Sequence, residues 1–264
     1  MIFRALFFIV IFVPFMLVVI PAQALILALR LPFWHVLPRA FHKLGCIFLG
    51  LRVTVIGEPA HGRPTLLVSN HISWTDIVSV GSVANVSFVA KREVGEWPFV
   101  GMMANLQRTI YADRTRRSET GRTAEAMGKR LAAGDAVLLF AEGQSDIGTH
   151  VLPFRSALVG AAQHAMMEAG AEEVLIQPLT IAYTKLQGLP ISRNERSLVA
   201  WIKSKSVKQN IRDILAGPVK DVTIAFGKPI PLSANDNRKA VTKQAEEQVR
   251  GMLVALNRGG PLPL

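Results

Sequence analysis

The sequence of 264 residues has one cysteine, few acids and none of the short signatures of several enzyme classes. The lone Cys46 excludes an internal disulfide and a cysteine-built metal site, and it suits a reducing compartment. No G-x-S-x-G nucleophile elbow and no convincing metal-ligand cluster is present, so neither a serine nucleophile nor a metal is expected. No internal repeat, low-complexity tract or internal linker divides the chain. Acids number 19 against 30 lysines and arginines, a formal net charge of +11. That balance implies an anionic partner: nucleic acid, an anionic membrane surface or a phosphorylated substrate. No nucleic-acid-binding motif occurs, so no nucleic-acid partner is expected.

What the chain has in surplus is apolar sequence at its front. Half of its residues are hydrophobic and its mean hydropathy is +0.31. Residues 5–29, "ALFFIVIFVPFMLVVIPAQALILAL", carry no charge and are long enough to cross a bilayer core. Three readings compete. "AQA" at 22–24 resembles a signal-peptidase site, although the apolar run continues to Leu29. A single span would be kinked at Pro14 and Pro21. The third reading is a membrane-embedded helical hairpin, with "LPFWHVLPRAFHKLGCIFLGLRV" (31–53) as its second arm. That arm mixes Phe33, Trp34, Phe41 and Phe48 with Arg39, His42 and Lys43, the pattern of a helix lying at a lipid interface. Residues 1–50 are therefore expected to be a membrane anchor. Beside it, lysines and arginines read as attraction to anionic lipid, on the order of 1 kcal/mol each close to the surface.

Residues 51–264 read as an α/β domain with a mixed, mostly parallel sheet flanked by helices. Strands are expected at 51–57, 65–70, 86–92, 109–113, 136–141, 174–184 and 221–227. Helices are expected at 73–84, 97–106, 118–134 and 154–170, and a last one opens on Ser233 as its N-cap.

The stretch "NHISWTD" (70–76) follows the second of these strands. Ser73 followed by Asp76 resembles a helix start related to the capping box. His71 then lies in the turn before the helix and Asp76 in its first turn. The turn lets His71 fold back, so that the carboxylate accepts from Nδ1–H and Nε2 is left as a free base. The competing reading has Asp76 serve only the helix N-terminus while His71 packs in the turn.

"NHISWTD" matches the N-H-x-x-x-x-D block of the glycerolphosphate and lysophosphatidate acyltransferase family, and three further blocks follow in that family's order. "FVAKREVGEWPFVGMMANLQRTIYADR" (88–114) resembles its second block, "LFAEGQS" (139–145) its F-P-E-G-T-R-S block and "IQPLTIAY" (176–183) its last strand. The resemblance implies O-acyl transfer from a thioester of coenzyme A or acyl carrier protein to the hydroxyl of a lyso-lipid, with no other cofactor. His71 is then the general base and Asp76 its orienter. Lys91, Arg114, Glu142, Gly143 and Arg155 are implied at the acceptor or its head group. Taken without the family, Arg114 and Arg155 read as solvated charges, and Glu142 as a strand-end carboxylate pairing with an arginine.

The default acceptor is 1-acyl-sn-glycerol-3-phosphate, giving phosphatidate. Two departures bear on it: Ala141 replaces the block's proline, and Gln144–Ser145 replace its Thr–Arg. The run "EGQSDIGTHVLPFRSALVGAA" (142–162) resembles the subgroup that acylates lyso-ornithine lipid, the rival acceptor. The implied location is the cytoplasmic face of a bacterial inner membrane. Two outside alternatives are a non-catalytic membrane lipid-binding protein and a secreted form cleaved at "AQA".

Overall fold

Residues 65–69 read T-L-L-V-S, and all five are buried, the mark of a strand covered on both faces. A computed structural model of the chain describes residues 2–112, 117–168, 172–202 and 204–263. In it this strand lies inside a nine-stranded sheet. The elements begin with α1 (Ile2–Phe7), a π-helical turn (Phe8–Phe12), α2 (Val13–Ala28) and α3 (Val36–Leu49). There follow β1 (Leu51–Ile56), β2 (Thr65–Ser69), α4 (Thr75–Val83), β3 (Val86–Lys91), α5 (Arg92–Gly95), α6 (Pro98–Leu106) and β4 (Ile110–Ala112). Next come α7 (Arg117–Ala132), β5 (Ala136–Phe140), α8 (Ser156–Glu168), β6 (Glu173–Leu186) and β7 (Leu189–Pro190). A 3-10 turn (Glu195–Leu198), α9 (Val207–Ala216), β8 (Lys220–Phe226), β9 (Ile230–Ser233) and α10 (Arg238–Arg258) complete the fold.

The sheet order is β1-β8-β6-β2-β5-β3-β4, with β7 and β9 also pairing to β6. Five pairings are parallel, and β7, β8 and β9 run antiparallel to β6. The expected mixed, mostly parallel sheet is what forms. Successive side chains enter opposite layers. Leu67, Phe88 and Leu138 pack with Leu49 of α3 and Val80 of α4, while Leu66, Val68 and Leu139 pack with Leu131 of α7 and Val159 of α8. Each such fully buried side chain contributes about 1.5–3 kcal/mol.

This topology creates the crevice. From β2 the chain passes through α4 to β3, on one side; from β5 it passes through α8 to β6, on the other. The two helices cover opposite faces, so a cleft opens outside the carboxyl ends of β2 and β5. In open α/β sheets ligands bind at such a reversal.

The front of the chain is a helical hairpin. Its helix Phe8–Ala28 has 21 residues and a mean hydropathy of 2.6, long and apolar enough to cross a membrane. Pro14 sits in the first turn of α2, where a missing N–H costs least. Pro21 lies inside α2 without interrupting it, so neither proline breaks the run. The chain returns through residues 29–35, and the Phe12 ring packs on Phe41 and Phe48 of α3 at 5.5 Å each. Gly50, at φ +66, closes α3 in the left-handed conformation that feeds β1.

One expectation of local structure gives way to long-range pairing. Ser233 does not cap the last helix, because β9 pairs it with Glu173. Asn237 is the cap, its side-chain oxygen accepting from the N–H groups of Lys239 and Ala240. The short elements between residues 189 and 216 have no counterpart in the sequence reading.

Candidate active site

The site is built where β2 runs out. Asn70 extends the pairing with β6 by one side chain: its Nδ2 donates to the Ile181 carbonyl and its Oδ1 accepts from the Ile181 N–H, both at 2.9 Å. The backbone then leaves the sheet and turns into α4. Asp76 organises that turn. Its Oδ2 accepts from the N–H groups of Ile72 (2.6 Å) and Ser73 (2.9 Å) and from His71 Nδ1 at 2.9 Å. Its Oδ1 accepts from the Tyr183 hydroxyl at 2.8 Å, which is itself bonded to Thr75 Oγ1 at 2.6 Å. Ser73 is not the cap: Trp74 holds that position, and Ser73 Oγ is buried without a partner. Asp76 instead reaches back from the first turn of the helix to two N–H groups of the turn that precedes it.

The five-residue spacing thus folds into a contact, and the carboxylate serves both the helix start and the imidazole. With Nδ1 held by a fully buried Asp76, Nε2 is the nitrogen left to accept a proton. The ring stacks on Phe140, the last residue of β5, with centroids 4.1 Å apart. The His71 side chain is 19% exposed, enough to meet a substrate.

Glu142 clamps the other side of the loop. One carboxylate oxygen accepts from the His71 N–H and the other from the Leu152 N–H, each at 2.7 Å. Burial pushes its pKa up to about 8, against the pull of those two N–H groups, with Asp146 and Asp76 adding to the rise. One oxygen thus holds the His71 loop and the other the loop after β5 at Leu152. Next to it Gly143 turns at φ +75, in the region that favours glycine, and a Cβ there would lie 2.9 Å from Arg155 Nε. The Arg155 N–H donates to the Ala141 carbonyl at 2.9 Å, and its side chain is exposed.

The structure therefore brings His71, Asp76, Glu142, Gly143 and Arg155 together. Lys91 is exposed at the end of β3, on the same sheet edge but one strand beyond β5. Arg114 lies outside the described residues. Ser145 is a turn residue, its hydroxyl donating to the Trp201 carbonyl. Tyr183 was not foreseen. It is one of two tyrosines in the chain and interrupts an apolar strand; a hydroxyl in a strand buried on both faces needs a partner, which was the available signal. Among the described residues, no group of three or more His, Cys, Asp or Glu could hold a metal ion.

Beside the site lies an apolar cavity of about 400 Å³ between the hairpin and the sheet, lined among others by Val19, Phe41, Ile77, Phe88 and Val100. Phe88 stacks with Phe140 at 6.5 Å, the same ring that backs His71. Size and lining fit a ligand with a long alkyl part.

The chain is similar in sequence and fold to known proteins. Residues 52–182 match the family model described as Acyltransferase. The chain is 42% identical to the lyso-ornithine lipid O-acyltransferase of Brucella abortus (strain 2308), over 92% of this chain and 91% of that one. It is 33% identical to the 1-acyl-sn-glycerol-3-phosphate acyltransferase of Neisseria gonorrhoeae, over 50% of each chain. Its fold superposes with a TM-score of 0.58 on the crystal structure of the 1-acyl-sn-glycerophosphate (LPA) acyltransferase PlsC from Thermotoga maritima, at 21% identity, covering 83% of this chain and 77% of the other.

Proposed function

We infer a specific reaction from one premise: this chain belongs to the acyltransferase family. The reaction is transfer of a fatty acyl group from a thioester of coenzyme A or acyl carrier protein to the free hydroxyl of a lyso-lipid. The single observation that carries the chemistry is the 2.9 Å bond between His71 Nδ1 and a buried Asp76. As the acceptor oxygen attacks the thioester carbonyl, Nε2 takes its proton and Asp76 stabilises the imidazolium. Collapse of the tetrahedral species breaks the C–S bond, and the departing thiolate recovers that proton. A positioned histidine contributes about 10²- to 10⁴-fold as general base. The N–H groups of His71, Ile72 and Ser73 are already committed to Glu142 and Asp76. Charge on the oxyanion therefore falls to the turn after Gly143 and to Arg155.

Lyso-ornithine lipid is the acceptor favoured here. Similarity to the lyso-ornithine lipid O-acyltransferase of Brucella abortus spans nine tenths of the chain, against half for the Neisseria gonorrhoeae relative. Gln144–Ser145 also offer no cation where the family block carries arginine. The second reading is 1-acyl-sn-glycerol-3-phosphate, favoured by cations at the same sheet edge, Lys91 and Arg155. In either case residues 1–50 anchor the chain and residues 51–264 carry catalysis at the cytoplasmic face of a bacterial inner membrane, where both thioester donors occur. Isolated membranes containing the chain, given a labelled acyl thioester and each lyso-lipid in turn, test this. Label in ornithine lipid is expected. Label in phosphatidate alone supports the second reading, and label in neither overturns both.

A further inference from the structure

We propose that α9 and the start of α6 form a rim that rests in the lipid bilayer at the mouth of the apolar cavity, a second membrane contact outside residues 1–50. This extends the reading that those residues anchor the chain. Trp97, Phe99 and Val100 on one side, and Val207 and Ile211 of α9 on the other, line the cavity. The same five are exposed, Phe99 by 51% and Ile211 by 40%. Side chains that are at once cavity wall and outer surface mark where the cavity opens, so its mouth has an apolar border. Exposed apolar surface gathered in one place marks contact with a membrane or a protein.

Lipid is the occupant that the surroundings of this rim fit. Around α9, at about 100° per residue, the buried Asn210 and Ile214 define the inward face. Val207 and Ile211 follow on one flank, and Lys208 and Arg212, both exposed, come next. The acid of α9, Asp213, is already paired with Lys205 at 2.8 Å. An apolar strip bordered by cations is the layout of a helix at a lipid interface, the strip among acyl chains and the cations at the phosphates.

The rim is also continuous with the hairpin. Arg4 of α1 donates to the Leu215 carbonyl at the end of α9. Gln23 Nε2 of α2 donates to the Leu106 carbonyl at the end of α6, at 3.0 Å. Val19 and Ile20 of α2 reach the same cavity, while the neighbouring Leu17 and Val18 are 71% and 69% exposed. Hairpin, α6 and α9 thus present apolar side chains around one opening. Three such contacts fix the tilt of the domain as well as its depth.

Spin labels on the full chain, in vesicles of phosphatidylcholine and phosphatidylglycerol, test this. On a Cys46→Ser background, Phe99→Cys, Ile211→Cys, Leu17→Cys and Lys243→Cys each carry one label, and thermal unfolding checks that each variant is folded. Lys243 of α10 is the water-facing control, its side chain 77% exposed. Labels at Phe99 and Ile211 should relax faster with dissolved oxygen, which concentrates in lipid, than with a water-soluble nickel chelate. Their oxygen-to-nickel ratio should stand several-fold above that at Lys243. Nickel preference at either Phe99 or Ile211 overturns the rim. If Leu17 prefers oxygen in that case, the anchor of residues 1–50 still stands; nickel preference there as well removes both readings. Poor access of both reagents to Phe99 and Ile211 would mean that protein covers them, a second copy or a partner, and overturns lipid as the occupant.

Discussion

At Asp76 four hydrogen bonds converge on two oxygens, from His71, Ile72 and Ser73 on one and from Tyr183 on the other. The Tyr183 hydroxyl touches no reacting atom; it holds the carboxylate that holds the imidazole. Tyr183→Phe should lower kcat about 3- to 10-fold with KM unchanged, and stability by about 1–3 kcal/mol for the donor removed from a buried network. A steady-state kcat and KM comparison with a urea titration checks both. Glu142 gives a prediction in pH. Its pKa in the folded chain is about 8, above the ordinary 4.5, so across that window the folded state keeps a proton that the unfolded chain has released. The contribution is complete below the lower value and is lost as pH rises through the upper one. The urea midpoint should therefore fall more steeply with rising pH in the natural chain than in Glu142→Gln, and the slope is the readout. The His71–Asp76 pair was legible because five residues and one turn contain it. Tyr183 was not, because its partner lies 107 positions away and only the pairing of β6 with β2 brings it there.

Among the elements, α3 and α4 meet with almost no clearance. Gly81 admits the edge of His42 where any side chain would collide, 2.3 Å from Cδ2. Gly81→Ala should force α3 outward and cost about 1–3 kcal/mol, the usual penalty of overpacking, read as a lowered Tm. The buried strands were readable because β-branched and apolar runs covered on both faces leave a continuous signal, as in T-L-L-V-S. Where an element depends on distant partners the signal fades. The turn at 195–198 is held by Arg196, which donates to the Gly148 carbonyl and Asn257 Oδ1. The end of α9 is held by Lys220, which donates to the carbonyls of Ile214 and Pro218. Neither partnership leaves a mark in a local window. Ser233 misled for the same reason, as a good capping residue claimed by a strand.

For the whole molecule, strand order is set by which way each crossover returns, a global choice that periodicity does not encode. That choice places His71 and Glu142 on neighbouring strand ends, and puts the hairpin over the cavity beside them. An apolar span and a net charge of +11 should act together on membranes. Flotation with anionic vesicles should show binding that weakens with salt yet persists at high salt, since screening removes the charge contribution and leaves apolar burial; complete release by salt would contradict the anchor. The central claim is that the His71 imidazole takes the proton of the attacking hydroxyl. Single-turnover acyl transfer by the full chain and by His71→Ala, matched for thermal unfolding and for binding of the acyl thioester, tests it most directly. The expected result is a rate about 10²- to 10⁴-fold lower in the variant with thioester affinity unchanged. A folded variant that transfers at the unaltered rate would contradict it.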